Sequence, residues 1–223
     1  MILGDIGNSP TYSASELIAD ACIHVIGVAA SISAVTALMV VAAIYLPPLS
    51  IASLAIYGAG LLAVFSFSAG YHLIRIPSWR AVLRHFDRSA IFIMIAGTYT
   101  PFAIVKMGGV WGYSLLALVW AVAIIGIVLQ RRLPHRYQWT ITALYLIQGW
   151  AVLLALDPLL SAVSMRVLIL LGIGGTLYTL GVVFHHWRGL PYQNAIWHGF
   201  VLTAAGFHYS AVLDAIALTG NLA

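Results

Sequence analysis

SAGYH (68–72), LIRIPSWRAVLR (73–84) and HFDRSAIFIMIAGTYTP (85–101) follow one another without interruption in this chain. An apolar segment ends in Ser68 and His72. A short loop bearing Arg75, Arg80, Arg84 and Arg88 comes next, and a second apolar segment opens with Asp87. Residues four apart on a helix lie on one face. Ser68 and His72 therefore point the same way, and the loop returns Asp87 to the same membrane surface. A serine, a histidine and a carboxylate converge there at the edge of a bilayer.

Composition supplies the bilayer. Of 223 residues, 62% are hydrophobic and 7% charged, and the mean hydropathy is +1.01. Soluble domains carry about 25% charged residues, so this is an integral membrane protein. The apolar runs are long and continuous, whereas barrel strands alternate over roughly ten residues. The fold class is therefore all-α, a single helical membrane domain over 13–223 preceded by a flexible or interfacial tail at 1–12. The lone Cys22 excludes an intrachain disulfide framework and is poor material for a thiolate metal site. The first fifteen residues have no positive charge and no compact apolar core, so no cleavable signal peptide is expected. The net charge of +4 comes from loop arginines and implies no nucleic-acid partner.

Seven spans of about the length that crosses a hydrocarbon core are legible. Ser13 and Glu16 form a capping box ahead of span one, Leu17 to Ile44, which Pro47-Pro48 ends. Span two covers Leu49 to Ile74 and, after the arginine loop, span three covers Ser89 to Val105. Lys106-Met-Gly-Gly makes a turn into span four, Trp111 to Gln130. Span five runs from Tyr137 to Leu156 and stops at Asp157-Pro158. Span six runs from Val163 to Phe184 and span seven from Asn194 to Leu218. The loops after spans two, four and six hold eight of the ten Lys and Arg residues. The positive-inside rule then places those loops and the N-terminus in the cytoplasm, and the C-terminus outside. Trp79, Trp111, Tyr113, Trp139, Trp187 and Trp197 fall near predicted span ends, as interface anchors do.

Polar groups within spans are costly and face a bundle interior with a partner. Glu16, Asp20 and His24 stand at i, i+4 and i+8 on span one. Span two leaves through Ser68 and His72, span three enters through Asp87, and span seven enters through Asn194 and His198, again four apart. Four helices thus present polar groups at one level on one side. A metal site suits this set. His72 and His198 offer imidazole nitrogens, Asp87 offers a ligand or a general base, and Ser68 offers a hydrogen bond to a water or oxyanion. Catalytic zinc takes three protein ligands plus water. Each residue also has a plainer reading: a hydrogen-bonded core histidine, an Asp87 paired with Arg84 or Arg88, a Glu16 that only caps a helix.

Together these residues resemble the hemolysin III family, grouped with the progestin and adipoQ receptors and the alkaline ceramidases. The resemblance spans nearly the whole chain. It is carried by Glu16, Asp20 and His24-Val-Ile-Gly27, by Ser68-Ala-Gly-Tyr-His72, and by Phe86-Asp87-Arg-Ser-Ala-Ile-Phe with Ala96-Gly-Thr-Tyr-Thr-Pro101. Ala195-Ile-Trp-His198-Gly-Phe-Val-Leu and Phe207-His208-Tyr complete it. It implies a Zn²⁺ ion held by three histidines near the cytoplasmic side. One is His72 and two come from a His-x3-His pattern on span seven; Asp87 contacts the water at the metal. The ceramidase branch hydrolyses a lipid amide this way. A bacterial inner membrane is implied by the family branch.

The chain departs from the pattern at one place: the first position of His-x3-His is Asn194, and an amide oxygen is a poor zinc ligand beside imidazole. Either the site has two histidines completed by Asp87 or water, or His185 or His186 enters from the short loop before span seven, or the metal is lost. His208 lies ~15 Å further along the helix. His208 and His24 read as buried hydrogen-bonding residues, with a role beside the ligands or in a polar cavity as the alternative. The expected function is a zinc-dependent hydrolase that attacks a lipid amide or ester at the cytoplasmic leaflet, with Asp87 as base and Ser68 as orienter, and membrane lipids as partners. The alternative is a non-enzymatic receptor or regulator of membrane lipid state, or a cytolytic protein. A proton or ion path through Glu16, Asp20, His24 and His208 lacks the paired discontinuous helices of transporters. Retinal chemistry is excluded because the one lysine, Lys106, lies in a predicted loop. Gly172, Gly174 and Gly175 suit close helix packing, within one chain or in a homo-oligomer.

Overall fold

The computed structural model describes residues 12–74, 76–187 and 189–218; the tail at 1–11 lies outside them. Among the described residues there is no strand, and seven helical spans are long and apolar enough to cross a membrane. Span one is α1 (Ala14–Tyr45), span two α2 (Pro48–Leu73), and span three α3 (Pro77–Pro101) with a π-helical end to Met107. Span four is α4 (Gly109–Arg132). Span five combines α5 (Gln138–Gly149), a 3-10 stretch and α6 (Leu156–Ala162). Span six is α7 (Met165–His186), and span seven is α8 (Gln193–Val212) with a π-helical end to Leu218.

Local chemistry sets these boundaries. The Ser13–Glu16 capping box forms and satisfies amide groups that a helix start leaves open. Pro48 and Pro77 sit in the first turns of α2 and α3, where a missing N–H costs nothing. Gly108 and Gly109 make the turn into span four with φ of 57° and 54°, the left-handed region open to glycine.

Two boundaries differ from the sequence reading. The arginine segment is mostly helix: α3 begins at Pro77 and carries Arg80, Arg84 and Arg88 in register with the span. Span five continues past Asp157-Pro158, because Pro158 falls in the first turn of α6 rather than ending a helix. The break within span five lies earlier, where Tyr99 donates its hydroxyl to Gly149 O at 2.6 Å and accepts the Val152 amide at 3.0 Å. A side chain thus satisfies the backbone groups that the break frees, as hydrocarbon surroundings require.

The largest core cluster joins α1, α2, α3 and α8 around Leu38, Leu54, Tyr57, Leu61 and Val212. Gly60 lies where an added Cβ would stand 3.2 Å from Met94 Cα, and Gly97 where it would stand 3.3 Å from Ile56 O. These two glycines let the α2 and α3 backbones approach closely. Spans five and six touch sparingly, bridged by the Trp150 indole donating to Thr179 Oγ1 at 3.1 Å. A cavity of about 1270 Å³ occupies the bundle. It reaches from Asp20, His72 and Asp87 at one end to His208 at the other.

Candidate metal centre

Span one provides two of the four central groups. Asp20 and His24 are four apart on the buried face of α1, which continues through Gly27, Ser31 and Leu38. Glu16, one turn earlier, does more than cap. Its second carboxylate oxygen accepts the Tyr192 amide at 2.8 Å, and Tyr192 holds the left-handed conformation at the start of α8. That bond ties the entrance of span one to the entrance of span seven and sets Asp20 level with His198.

The Asp20 carboxylate is the hub. Oδ1 lies 2.7 Å from His198 Nδ1, and Oδ2 lies 3.0 Å from His72 Nδ1 and 3.6 Å from His24 Nε2. The three imidazole centroids are mutual neighbours: His24 to His72 4.8 Å, His24 to His198 4.3 Å, and His72 to His198 4.6 Å. One candidate ligand atom from each of Asp20, His24, His72 and His198 falls within 4.8 Å of every other. Tetrahedral zinc with bonds near 2.0–2.1 Å sets its ligand atoms ~3.3 Å apart, so small side-chain rotations contract this set onto one ion. His24 Nε2 is buried with no hydrogen-bond partner. An orphaned imidazole nitrogen facing two more imidazoles and a carboxylate fits a metal ligand, and buried polar atoms otherwise find partners.

The remaining sequence candidates are placed as follows. Ser68 and Asp87 line the same end of the cavity as the centre. Asn194 and Tyr12 both line the cavity, and burial pushes the Tyr12 phenol above its ordinary pKa. His186 stacks on Trp139 at 3.5 Å and pairs with Thr142 at 3.1 Å. The His185 ring lies 4.9 Å from Trp197, and its backbone carbonyl accepts from the Gln193 side-chain Nε2. His208 donates from Nε2 to Leu171 O at 3.3 Å, near the far end of the cavity. Asn194, His185, His186 and His208 therefore fall outside the four-residue group, which takes its third histidine from span one. The i, i+4 spacing of Asp20 and His24 was the available signal for this, but spacing does not fix how a helix is rotated against its neighbours.

These observations define a seven-span helical membrane protein with a buried Asp/His group able to bind a metal ion. The chain belongs to the hemolysin III family: residues 14–209 match the family model described as "Haemolysin-III related". It is 37% identical to the hemolysin-3 homolog of Bacillus subtilis (strain 168) over 202 residues, 91% of this chain and 95% of that protein. It is 35% identical to hemolysin-3 of Bacillus cereus over 211 residues, 95% and 96% of the two chains. The human monocyte to macrophage differentiation factor is 32% identical over 166 residues, 70% of this chain and 67% of that one. No solved structure matches the chain.

Proposed function

We propose that this protein is a zinc-dependent membrane hydrolase acting on a lipid amide or ester. The observation that carries the reading is the convergence of Asp20, His24, His72 and His198 with Ser68 and Asp87 in one intramembrane cavity. The three histidines would hold the ion, with the Asp20 carboxylate orienting His72 and His198 through their Nδ1 atoms and a fourth position left for water or substrate. Zinc supplies Lewis acidity, which polarises a carbonyl and makes water nucleophilic near neutral pH. Asp87 takes the proton of the attacking water and delivers it to the departing nitrogen or oxygen, so that one C–O bond forms as the amide or ester bond breaks. Ser68, at the same end of the cavity, would orient the water or an oxyanion through its hydroxyl. At about 1270 Å³, the cavity exceeds the ~300–1,000 Å³ of ordinary ligand pockets and has room for an acyl chain. The positive-inside pattern supports a cytoplasmic-leaflet position for the centre, and the Bacillus relatives support a bacterial inner membrane.

Purified protein in lipid nanodiscs, incubated with a panel of lipid amides and esters, tests the reading. The expected result is chelator-sensitive release of fatty acid that disappears in Asp87→Ala while metal content is retained. No turnover on any lipid, or turnover undiminished in Asp87→Ala, counts against it. A structural or regulatory metal centre is the second reading. It is favoured by the short Asp20 contacts to His198 and His72, which leave the carboxylate little freedom to yield a position to substrate.

A further inference from the structure

Arg80, Arg84 and Arg88 recur every fourth residue on α3. Their side chains stack in a column on one helix face, rising about 6 Å per step. All three line the metal-centre cavity. Among the described residues, none has a carboxylate within 4.0 Å; the ion pairs are those of Asp20 with its three histidines and of Arg166 with Asp214. The acidic groups nearby are few. Asp87 lines the same cavity, and Glu16 is taken up by the Ser13 cap and the Tyr192 amide. Three guanidinium groups therefore meet at most one carboxylate at this mouth.

Arginines at a span end ordinarily serve topology and attraction to anionic leaflets. Arg131, Arg132 and Arg136, on the next positively charged connection, fit that description and do not line the cavity. The α3 column differs by its placement. The Arg80 guanidinium lies 5.1 Å from the centre of the Tyr71 ring, and that ring meets the His72 ring edge-on at 5.0 Å. A positive group is thus positioned two ring contacts from a candidate metal ligand. Guanidinium forks match phosphate oxygens in bidentate geometry.

We propose that Arg80, Arg84 and Arg88 form a binding site for the phosphate of an anionic lipid headgroup at the mouth of the metal-centre cavity. The class of ligand is an acyl lipid whose phosphate lies near its acyl linkage, as in an anionic phosphoglyceride, in preference to a neutral-headed lipid. As a statement about substrate it rests on the hydrolase reading above; as a statement about binding it stands apart from turnover.

The test uses full-length protein, stripped of metal by chelator and held in mild detergent. It is mixed with phosphatidylglycerol, phosphatidylcholine and ceramide of matched chains, and retained lipid is measured by native mass spectrometry. Phosphatidylglycerol should be retained at least about tenfold over ceramide, which lacks the phosphate and so one charge-assisted hydrogen-bond pair, and also above phosphatidylcholine, whose choline cation is repelled by the three guanidinium groups. The preference should disappear in Arg80→Gln/Arg84→Gln/Arg88→Gln and persist in Arg131→Gln/Arg132→Gln. Single Arg84→Gln should reduce it partially, which guards against misfolding of the triple variant. Equal retention of the three lipids overturns the proposal. So does equal loss in the Arg131/Arg132 variant, which would indicate only general surface charge. Loss of the preference to millimolar inorganic phosphate overturns it as well, by showing a free-anion site. Because the protein is metal-free throughout, failure of the hydrolase reading leaves this result untouched.

Discussion

Replacing His24 by Phe separates the centre drawn from span one from one drawn through Asn194. The exchange nearly preserves ring volume at a site only 2% exposed, so packing changes little. What disappears is Nε2, which has no hydrogen-bond partner and lies 3.6 Å from Asp20 Oδ2. If His24 is a ligand, its loss should weaken zinc binding at least as much as loss of a supporting group, about 10–100-fold. A zinc level of 100 times the parent Kd stabilises the parent by ~2.7 kcal/mol. A hundredfold weaker variant keeps only ~0.4 kcal/mol at that level, by the same relation. The variant should therefore melt several degrees below the parent in zinc. In chelator the difference should shrink or vanish, because His24 Nε2 then keeps only its 3.6 Å contact to Asp20 Oδ2 and the phenyl ring fills nearly the same volume. Metal content by elemental analysis and thermal unfolding with and without zinc read both effects. Asn194→Ala serves as the comparison and should keep its metal. Stoichiometric zinc in His24→Phe, or its loss in Asn194→Ala at an intact fold, would refute the assignment of the third histidine to span one.

Other expectations follow from single contacts. In Gly126→Ala the new Cβ would stand 2.2 Å from Phe92 Cζ, against a fully buried ring; overpacking of ~1–3 kcal/mol should appear as a lowered thermal midpoint. Tyr99→Phe removes both hydrogen bonds at the span-five break. It should cost about 1–3 kcal/mol and raise hydrogen exchange at the Val152 amide, with metal content unaffected. Ser68→Ala removes the hydroxyl that shares the cavity end with Asp87 and should lower turnover about 10–100-fold without changing bound zinc. Equal loss of zinc and turnover in that variant would place Ser68 in metal retention instead.

Much of the architecture is legible from residues alone. Hydrophobic length fixes the seven spans, since each must satisfy its own backbone within hydrocarbon. The sparse polar residues betray one level of the bundle, because the membrane tolerates them only where they meet partners. His72, His198, Asp20 and His24 could all be named from their positions along the chain. Their grouping could not. Four-residue spacing tells which side chains share a helix face, but the rotation and depth of α1 against α2 and α8 are set by tertiary packing, including the Glu16–Tyr192 bond across 176 residues. That rotation brings His24 to the centre, while Asn194 stays outside the group. The helical state of the arginine segment was hidden for a similar reason. Four arginines within fourteen residues read as a loop beyond the bilayer, yet Pro77 starts a helix there, and its continuity with span three turns scattered charges into a column over the cavity. Sequence determined which groups the membrane had to accommodate; packing decided which of them meet.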